Sequence, residues 1–378
     1  MLDRFTMYSV LLSLEGLFAF ILFLFLIHLT RKTKIYLPLL FFTLLMVFEM
    51  AILVLVETGG IADFPHLIDL NEPFFMLYGP LLFLYARNQA HQRFLLKKSD
   101  ILALIPFVLA LFVYIPDLIQ TPENKLTRLR NEGNTLFDVG TYIWEWIFYL
   151  TVNMYFLLRT IRELRKYDTK LKEQLSNIAK SNLHPTLVLV KVCLVLYLIE
   201  LLFVYFTYYG FPYYHRTYLY INLLSGIVLM FVSVDAILSH RYIIRNQLTP
   251  TLLPVKKENE KYASSGLTKE SSEEIRSRLI RYMEDHRPYL QPQLRIKELS
   301  DATGIPTHHL SQVLNESFEQ NFYEFINGYR IKEAMKILKD PNYQNYTYEA
   351  IAFEVGFNSR SAFYNAFKKI NNTTPSKL

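Results

Sequence analysis

Two hydrophobic patterns divide this chain. From residue 1 to about 240, long apolar runs alternate with short polar breaks. Beyond that, apolar residues recur at helical spacing among charged ones. A helix that crosses a bilayer needs ~20 mostly apolar residues. Seven stretches predict such spans: 8–29, 36–56, 73–88, 101–116, 137–158, 187–209 and 217–238. The third and fourth are short, and Gly79-Pro80 predicts a kink in the third. After the fifth run comes RTIRELRKYDTKLKEQLSNIAK, charged but helically spaced. It predicts that this helix continues past the membrane as a basic extension, lying on anionic lipid or in contact with the C-terminal half.

Residues 241–266 read as a linker, with Pro250, Pro254 and Ser264-Ser265-Gly266. Ser271-x-x-Glu274 then has the form of a capping box. It opens a helix whose apolar positions are Ile275, Leu279 and Met283, ended by Pro288 and Pro292. Two helix pairs follow, RIKELSDATGIPTHHLSQVLNES over 295–317 and TYEAIAFEVGFNSRSAFYNAFKKI over 347–370. Gly304 and Gly356 supply their tight turns. Each glycine precedes an apolar residue and the polar start of another helix, the pattern of a helix-turn-helix written twice. Leu294, Leu299, Ala302, Leu310, Val313 and Leu314 are the inward positions of the first pair. Those of the second are Ile351, Val355, Phe357, Phe363, Ala366 and Phe367. A joining helix over 322–338 is expected to bury Phe325, Ile326, Tyr329, Ala334 and Ile337. The fold class is therefore all-α. A seven-helix transmembrane bundle (1–240) leads through the linker to a soluble helical domain (267–378) with two helix-turn-helix units.

Charge orients the bundle. With the N-terminus outside and the C-terminal domain inside, the inner loops carry fourteen Lys and Arg and the outer segments five. Basic loops stay in the cytoplasm, so this arrangement is favoured. The net charge of +6 names no partner by itself. One cysteine, Cys193, lies in an apolar run, so a disulfide within the chain is impossible. Four carboxylates fall inside predicted spans: Glu15, Glu49, Glu145 and Glu200. All four lie roughly 10–14 Å from the outer ends at 1.5 Å per residue. Intramembrane carboxylates usually face a bundle interior or a wet cavity, so these four, with Asn222, are the candidates for an intramembrane polar pocket. Separate structural hydrogen bonds are the alternative.

The C-terminal half offers different chemistry. Its outward faces are Thr307, His308, Ser311, Gln312 and Asn315, then Arg360, Ser361, Tyr364, Asn365 and Lys368. Short polar and basic side chains on one helix face, with an apolar face behind, are what reading base edges requires. Arg360 suits guanine, and Gln312 and Asn365 suit adenine. Lys368, Lys369 and Arg330 suit phosphates, which fix register rather than sequence. The joining helix, ~25 Å long at 1.5 Å per residue, can set two recognition helices about one DNA turn, ~34 Å, apart. Over 267–378 there are 15 basic and 14 acidic residues, so any basic surface must be local.

The motifs LSQVLN (310–315), NFYEFINGYR (321–330), AIAFEVGFNS (350–359) and FKK (367–369) with Thr374-Pro375 resemble the AraC-type DNA-binding domain over 262–375. The resemblance implies seven helices and two recognition helices in adjacent major grooves. It places base contacts at Thr307, His308, Ser311, Gln312, Arg360, Ser361, Tyr364 and Asn365. With the multi-span front half, the chain resembles the membrane-anchored regulators of this family in bacteria. That implies an inner-membrane, multi-pass protein with its C-terminal domain in the cytoplasm. Asn371-Asn372 stand where the family often has glycine, and Ser376-Lys377-Leu378 where a Tyr-Arg pair is usual.

No GxxxxGK, GxGxxG, HExxH or GxSxG motif occurs. Adjacent His308 and His309 project apart, so they make poor joint metal ligands. Neither enzyme chemistry nor a metal or cofactor is expected. The expected partners are double-stranded DNA, the lipid bilayer, a second copy in a homodimer, and an unknown small-molecule or envelope signal. The expected function is a one-component transcription regulator. The alternative is a membrane receptor or enzyme whose helix-turn-helix domain serves for assembly or tethering.

Overall fold

The computed structural model describes residues 7–131, 139–177, 183–208, 226–228, 230–238 and 269–377. Among them every regular element is a helix. The predicted linker, Asn222, and parts of the fifth, sixth and seventh predicted spans lie outside the described residues.

The chain divides into two compact units, and the division does not fall at a single point. The first holds Met1–Leu164 and Asn182–Leu252, the second Arg165–Ser181 and Leu253–Leu378. The first contains α1 (Met7–Lys32), α2 (Leu37–Glu57), α3 (Tyr78–His91), α4 (Ile105–Leu118), α5 (Pro122–Asn131), most of α6 (Val139–Gln174), α7 (Leu183–Tyr208) and α8 (Gly226–Leu238). Local chemistry sets the breaks. Arg31 and Lys32 close α1, where cations suit the carbonyl end of a helix. Pro38 occupies the first turn of α2, where its missing N–H costs nothing.

Five apolar helical stretches among the described residues are long enough to cross a membrane: Met7–Lys32, Lys34–Glu57, Pro65–His91, Lys98–Leu118 and Pro185–Leu202. Their free faces are apolar. Leu14, Leu17, Phe20, Ile21 and Leu24 of α1 and Val108, Leu109, Phe112 and Val113 of α4 are all exposed. Apolar faces this long are compatible with lipid and foreign to the surface of an ordinary monomer.

Gly79-Pro80 does not kink a helix. The pair sits in the first turn of α3, after a 3₁₀ stretch from Glu72 to Leu77. There Gly79 lies against α6: a Cβ on it would stand 2.9 Å from Asn153 Cα, and its N–H donates to Asn153 Oδ1 at 2.6 Å. At a helix start that N–H has no partner within the helix, so Asn153 satisfies it.

The second unit contains the end of α6, then α9 (Lys269–His286), α10 (Ile296–Thr303), α11 (Thr307–Ser317), α12 (Phe322–Lys339), α13 (Tyr348–Glu354) and α14 (Arg360–Asn371). Because α9 begins at Lys269, Ser271 lies inside its first turn rather than capping it. Two cores stabilise the unit. Leu279, Met283, Leu294, Leu299, Leu310, Leu314, Phe322 and Phe325 fill one. Ile331, Ala334, Ile351, Val355, Phe357, Phe363 and Phe367 fill the other. Leu290, in the loop after α9, packs against both. Ala302 is exposed, contrary to expectation. Thr303 takes the inward place, in register with Ile296 and Leu299, and its hydroxyl donates to Leu299 O at 2.7 Å. Tyr329 and Ile337 are only half-buried.

Candidate nucleic-acid interface

Each helix pair turns on a left-handed glycine, Gly304 at φ 67° and Gly356 at φ 91°, a conformation glycine adopts without strain. Gly356 is also needed for space. A Cβ there would lie 2.7 Å from Tyr289 O and 2.8 Å from Leu290 O. Ser359 caps α14 by accepting from the N–H of Ala362 at 3.2 Å, and Thr347 caps α13 by accepting from that of Ala350 at 3.1 Å. Asn372, where glycine is common, ends α14 at φ 53°. Asparagine is the residue that best tolerates that region after glycine.

The two outward faces are where the sequence places them. His308 and Asn315 are exposed and Thr307, Ser311 and Gln312 half-exposed on α11, whose opposite side buries Leu310, Val313 and Leu314. On α14, Arg360, Ser361, Asn365 and Lys368 are exposed and Tyr364 half-exposed, above buried Phe363, Ala366 and Phe367. Two of these groups rest on neighbours one turn along the same helix. Gln312 donates to Glu316, at 3.2 and 3.1 Å to its two oxygens. Arg360 lies over the Tyr364 ring at 5.1 Å. Both contacts lie at the exposed surface, where such contacts are weak.

Two residues expected to hold phosphates differ. Lys369 donates to Glu324 Oε1 at 2.5 Å, tying α14 to the start of α12. Arg330 is fully buried and wholly engaged inside the unit. Its Nε donates to Tyr289 O at 2.7 Å and its Nη2 to Gln291 O at 2.8 Å. Its Nη1 reaches Asn327 Oδ1 at 3.2 Å and Ser176 O at 3.0 Å, and Nη2 also reaches Ser176 Oγ at 3.1 Å. Burial pushes its pKa down to about 10, so it stays cationic at neutral pH. Arg330 is therefore no phosphate ligand but the internal tie of the unit.

Of the four intraspan glutamates, Glu15, Glu49 and Glu200 are buried. Glu49 lies within electrostatic range of Glu15, and Glu200 of Glu49. Tyr78 donates to Glu49, and Gly226 of α8 packs on the carboxyl of Glu15. The side chain of Glu145 lies outside the described residues. A fifth carboxylate escaped the sequence reading. Asp235 is fully buried on α8 and accepts from Tyr85 at 2.6 Å and Thr186 at 2.9 Å. An aspartate within Val232–Ala236 was the available signal. Nearby on the chain, Arg87 grips Asp100 through two hydrogen bonds of 2.8 and 2.6 Å, both side chains buried. Arg87, one of the expected inner-loop cations, is thus neutralised.

The buried scaffold and polar outward faces define a helix-turn-helix DNA-binding domain. A family model described as "Helix-turn-helix domain" matches residues 299–378. This part of the chain is an AraC-type helix-turn-helix domain, which supports DNA-binding transcription regulation. None of the curated proteins and none of the solved structures matches the chain.

Proposed function

We propose that the chain is a membrane-anchored, one-component transcription regulator that reads two successive major grooves with α11 and α14, under control of a signal met by its apolar unit. The carrying observation is the pair of polar outward faces, each backed by a buried apolar one. Between them α12 has 18 residues, about 27 Å at 1.5 Å per residue. With a turn at each end, that length suits recognition helices one DNA turn apart. Arg360, Ser361, Tyr364, Asn365 and Lys368 form one contact set, and Thr307, His308, Ser311, Gln312 and Asn315 the other. Seven spans place the N-terminus outside and the DNA-binding domain in the cytoplasm, joined through the linker at 241–266. The buried Glu15, Glu49 and Glu200 support a polar cluster in the apolar unit as the place where the signal acts. Pairing of copies in the bilayer raises the effective concentration of the reading helices.

The test is selection of DNA from a random pool by the full-length protein in lipid nanodiscs. A motif in two parts about ten base pairs apart is expected. Arg360→Ala and Gln312→Ala should each relax one part, by ~1–3 kcal/mol. Salt-sensitive, sequence-blind binding would instead favour a tethering domain whose function lies in the spans.

A further inference from the structure

The last residues of α6 belong to the DNA-binding unit. This helix has 36 residues, about 54 Å at 1.5 Å per residue, well beyond the ~30 Å of a hydrocarbon core. After Gln174 the chain leaves the helix. Leu175 forms an antiparallel bridge with Arg295, and the Ser176 N–H donates to Leu294 O at 3.1 Å. Ser176 is 1% exposed, and both its carbonyl and its hydroxyl accept from Arg330. Leu171 is buried as well, and Lys172 lies within electrostatic range of Glu324.

The place where this arm docks matters. Arg295 is the residue just before α10, the start of the first helix pair. Arg330 sits mid-α12, over the Phe357 ring of the second pair at 5.6 Å. It also holds Tyr289 O and Gln291 O, in the loop whose Leu290 packs into both cores and whose backbone abuts Gly356. One guanidinium therefore joins the arm, that loop and Phe357 of the second pair, while the arm itself reaches Leu294 and Arg295 at the start of the first. Displacing the arm would leave both Arg330 bonds to Ser176 unmade in a buried site, which is costly for a charged donor. Leu175 and Ser176 bond to Leu294, Arg295 and Arg330, which are not outward residues of α11 or α14, so the docked arm braces the reader from behind its outward faces.

We infer that the surface formed by Leu294, Arg295 and Arg330 is a docking site for the chain's own segment Leu171–Ser176. Docking fixes the spacing of the two recognition helices, and the arm is the route by which α6 controls DNA affinity. The inference rests on the regulator reading above and adds its mechanism. A displacement of α6 is carried along a continuous helix to the arm. Docked, the two helices hold one spacing and bind a two-part site; undocked, the spacing is loose and affinity falls.

The experiment uses full-length protein in nanodiscs. Ser176→Pro removes the N–H and the hydroxyl together, and should weaken binding to the selected two-part site by about tenfold. Affinity for a single half-site should stay unchanged. In a Cys193→Ala background, Leu175→Cys with Arg295→Cys places two thiols at a bridge pair, whose Cα separation of about 5 Å suits a disulfide. Oxidation should give a fast-migrating intramolecular product that keeps full affinity. Equal affinity of wild type and Ser176→Pro for the two-part site overturns the inference and leaves the regulator reading intact. So does a disulfide that fails to form, or that forms only between chains. Loss of half-site binding in Ser176→Pro would show general unfolding, and the disulfide result then decides. If wild-type protein selects no sequence, the regulator reading falls and the inference with it.

Discussion

Gly356 and Gly328 show how differently one residue type can act. Gly356 is left-handed and pressed against two carbonyls, whereas a Cβ on Gly328, inside α12, would meet nothing within 4 Å. Gly356→Ala should lower stability by at least ~1–3 kcal/mol. Gly328→Ala should raise it by ~0.5–1 kcal/mol. Thermal unfolding of the two variants side by side checks both signs. Glu324 makes a prediction in pH. Burial pushes its carboxyl up, but the hydrogen bond from Lys369, the Asn321 N–H and the charges of Lys369 and Lys172 outweigh this, and it ends below the ordinary 4.5. Its folded value is depressed, so its contribution is fully present above about 4.5 and lost as pH falls through the folded value. Glu324→Gln should flatten the acid limb of an unfolding-versus-pH curve; an unchanged limb would contradict it. Lys368→Ala should weaken binding alike on all sequences and reduce the salt slope by about 1, read from titrations at several salt concentrations. At this scale the outward faces were legible because helical period alone sorts polar from apolar on α11 and α14. Arg330 was not. It bonds to Ser176, 154 residues away in the chain, and no local pattern carries that.

Among elements, helix existence read well and helix beginnings read less well. The joining helix was expected over 322–338 and runs Phe322–Lys339, because Asn321 and Glu324 form a real capping box. Ser271 and Glu274 have the same spacing, yet α9 starts before them: spacing marks a start only where the chain upstream leaves the helix. The third predicted span was ambiguous for a physical reason. Its apolar run is partly 3₁₀, folded against Asn153, and buries many of its polar residues, including Arg87, Asn88 and Gln89. The Arg87–Asp100 pair joins α3 to the loop before α4. Arg87→Met alone strands a buried carboxylate and should cost ~3–5 kcal/mol, whereas adding Asp100→Leu should recover most of it. Unfolding of the purified single and double variants distinguishes this from two independent losses, which would add.

At the scale of the molecule, the change from apolar runs to amphipathic spacing located a boundary near residue 240, but the compact units interleave. Pattern reports burial against lipid or core; it does not report which distant segment shares a core. Orientation can be checked directly. In a Cys193→Ala background, Asn124→Cys on α5 and Arg93→Cys after α3 fall on opposite sides of the proposed seven-span arrangement. A membrane-impermeant thiol reagent on intact cells should label the first and spare the second; the reverse pattern would invert the topology. The interleaving has one more consequence. A proteolytic cut anywhere from 182 to 268 would separate the C-terminal helices from Leu175 and Ser176 and leave Arg330 with a vacant grip. The freed piece would lack part of the unit it was cut from, so on the function proposed above the domain works while still attached to the apolar unit.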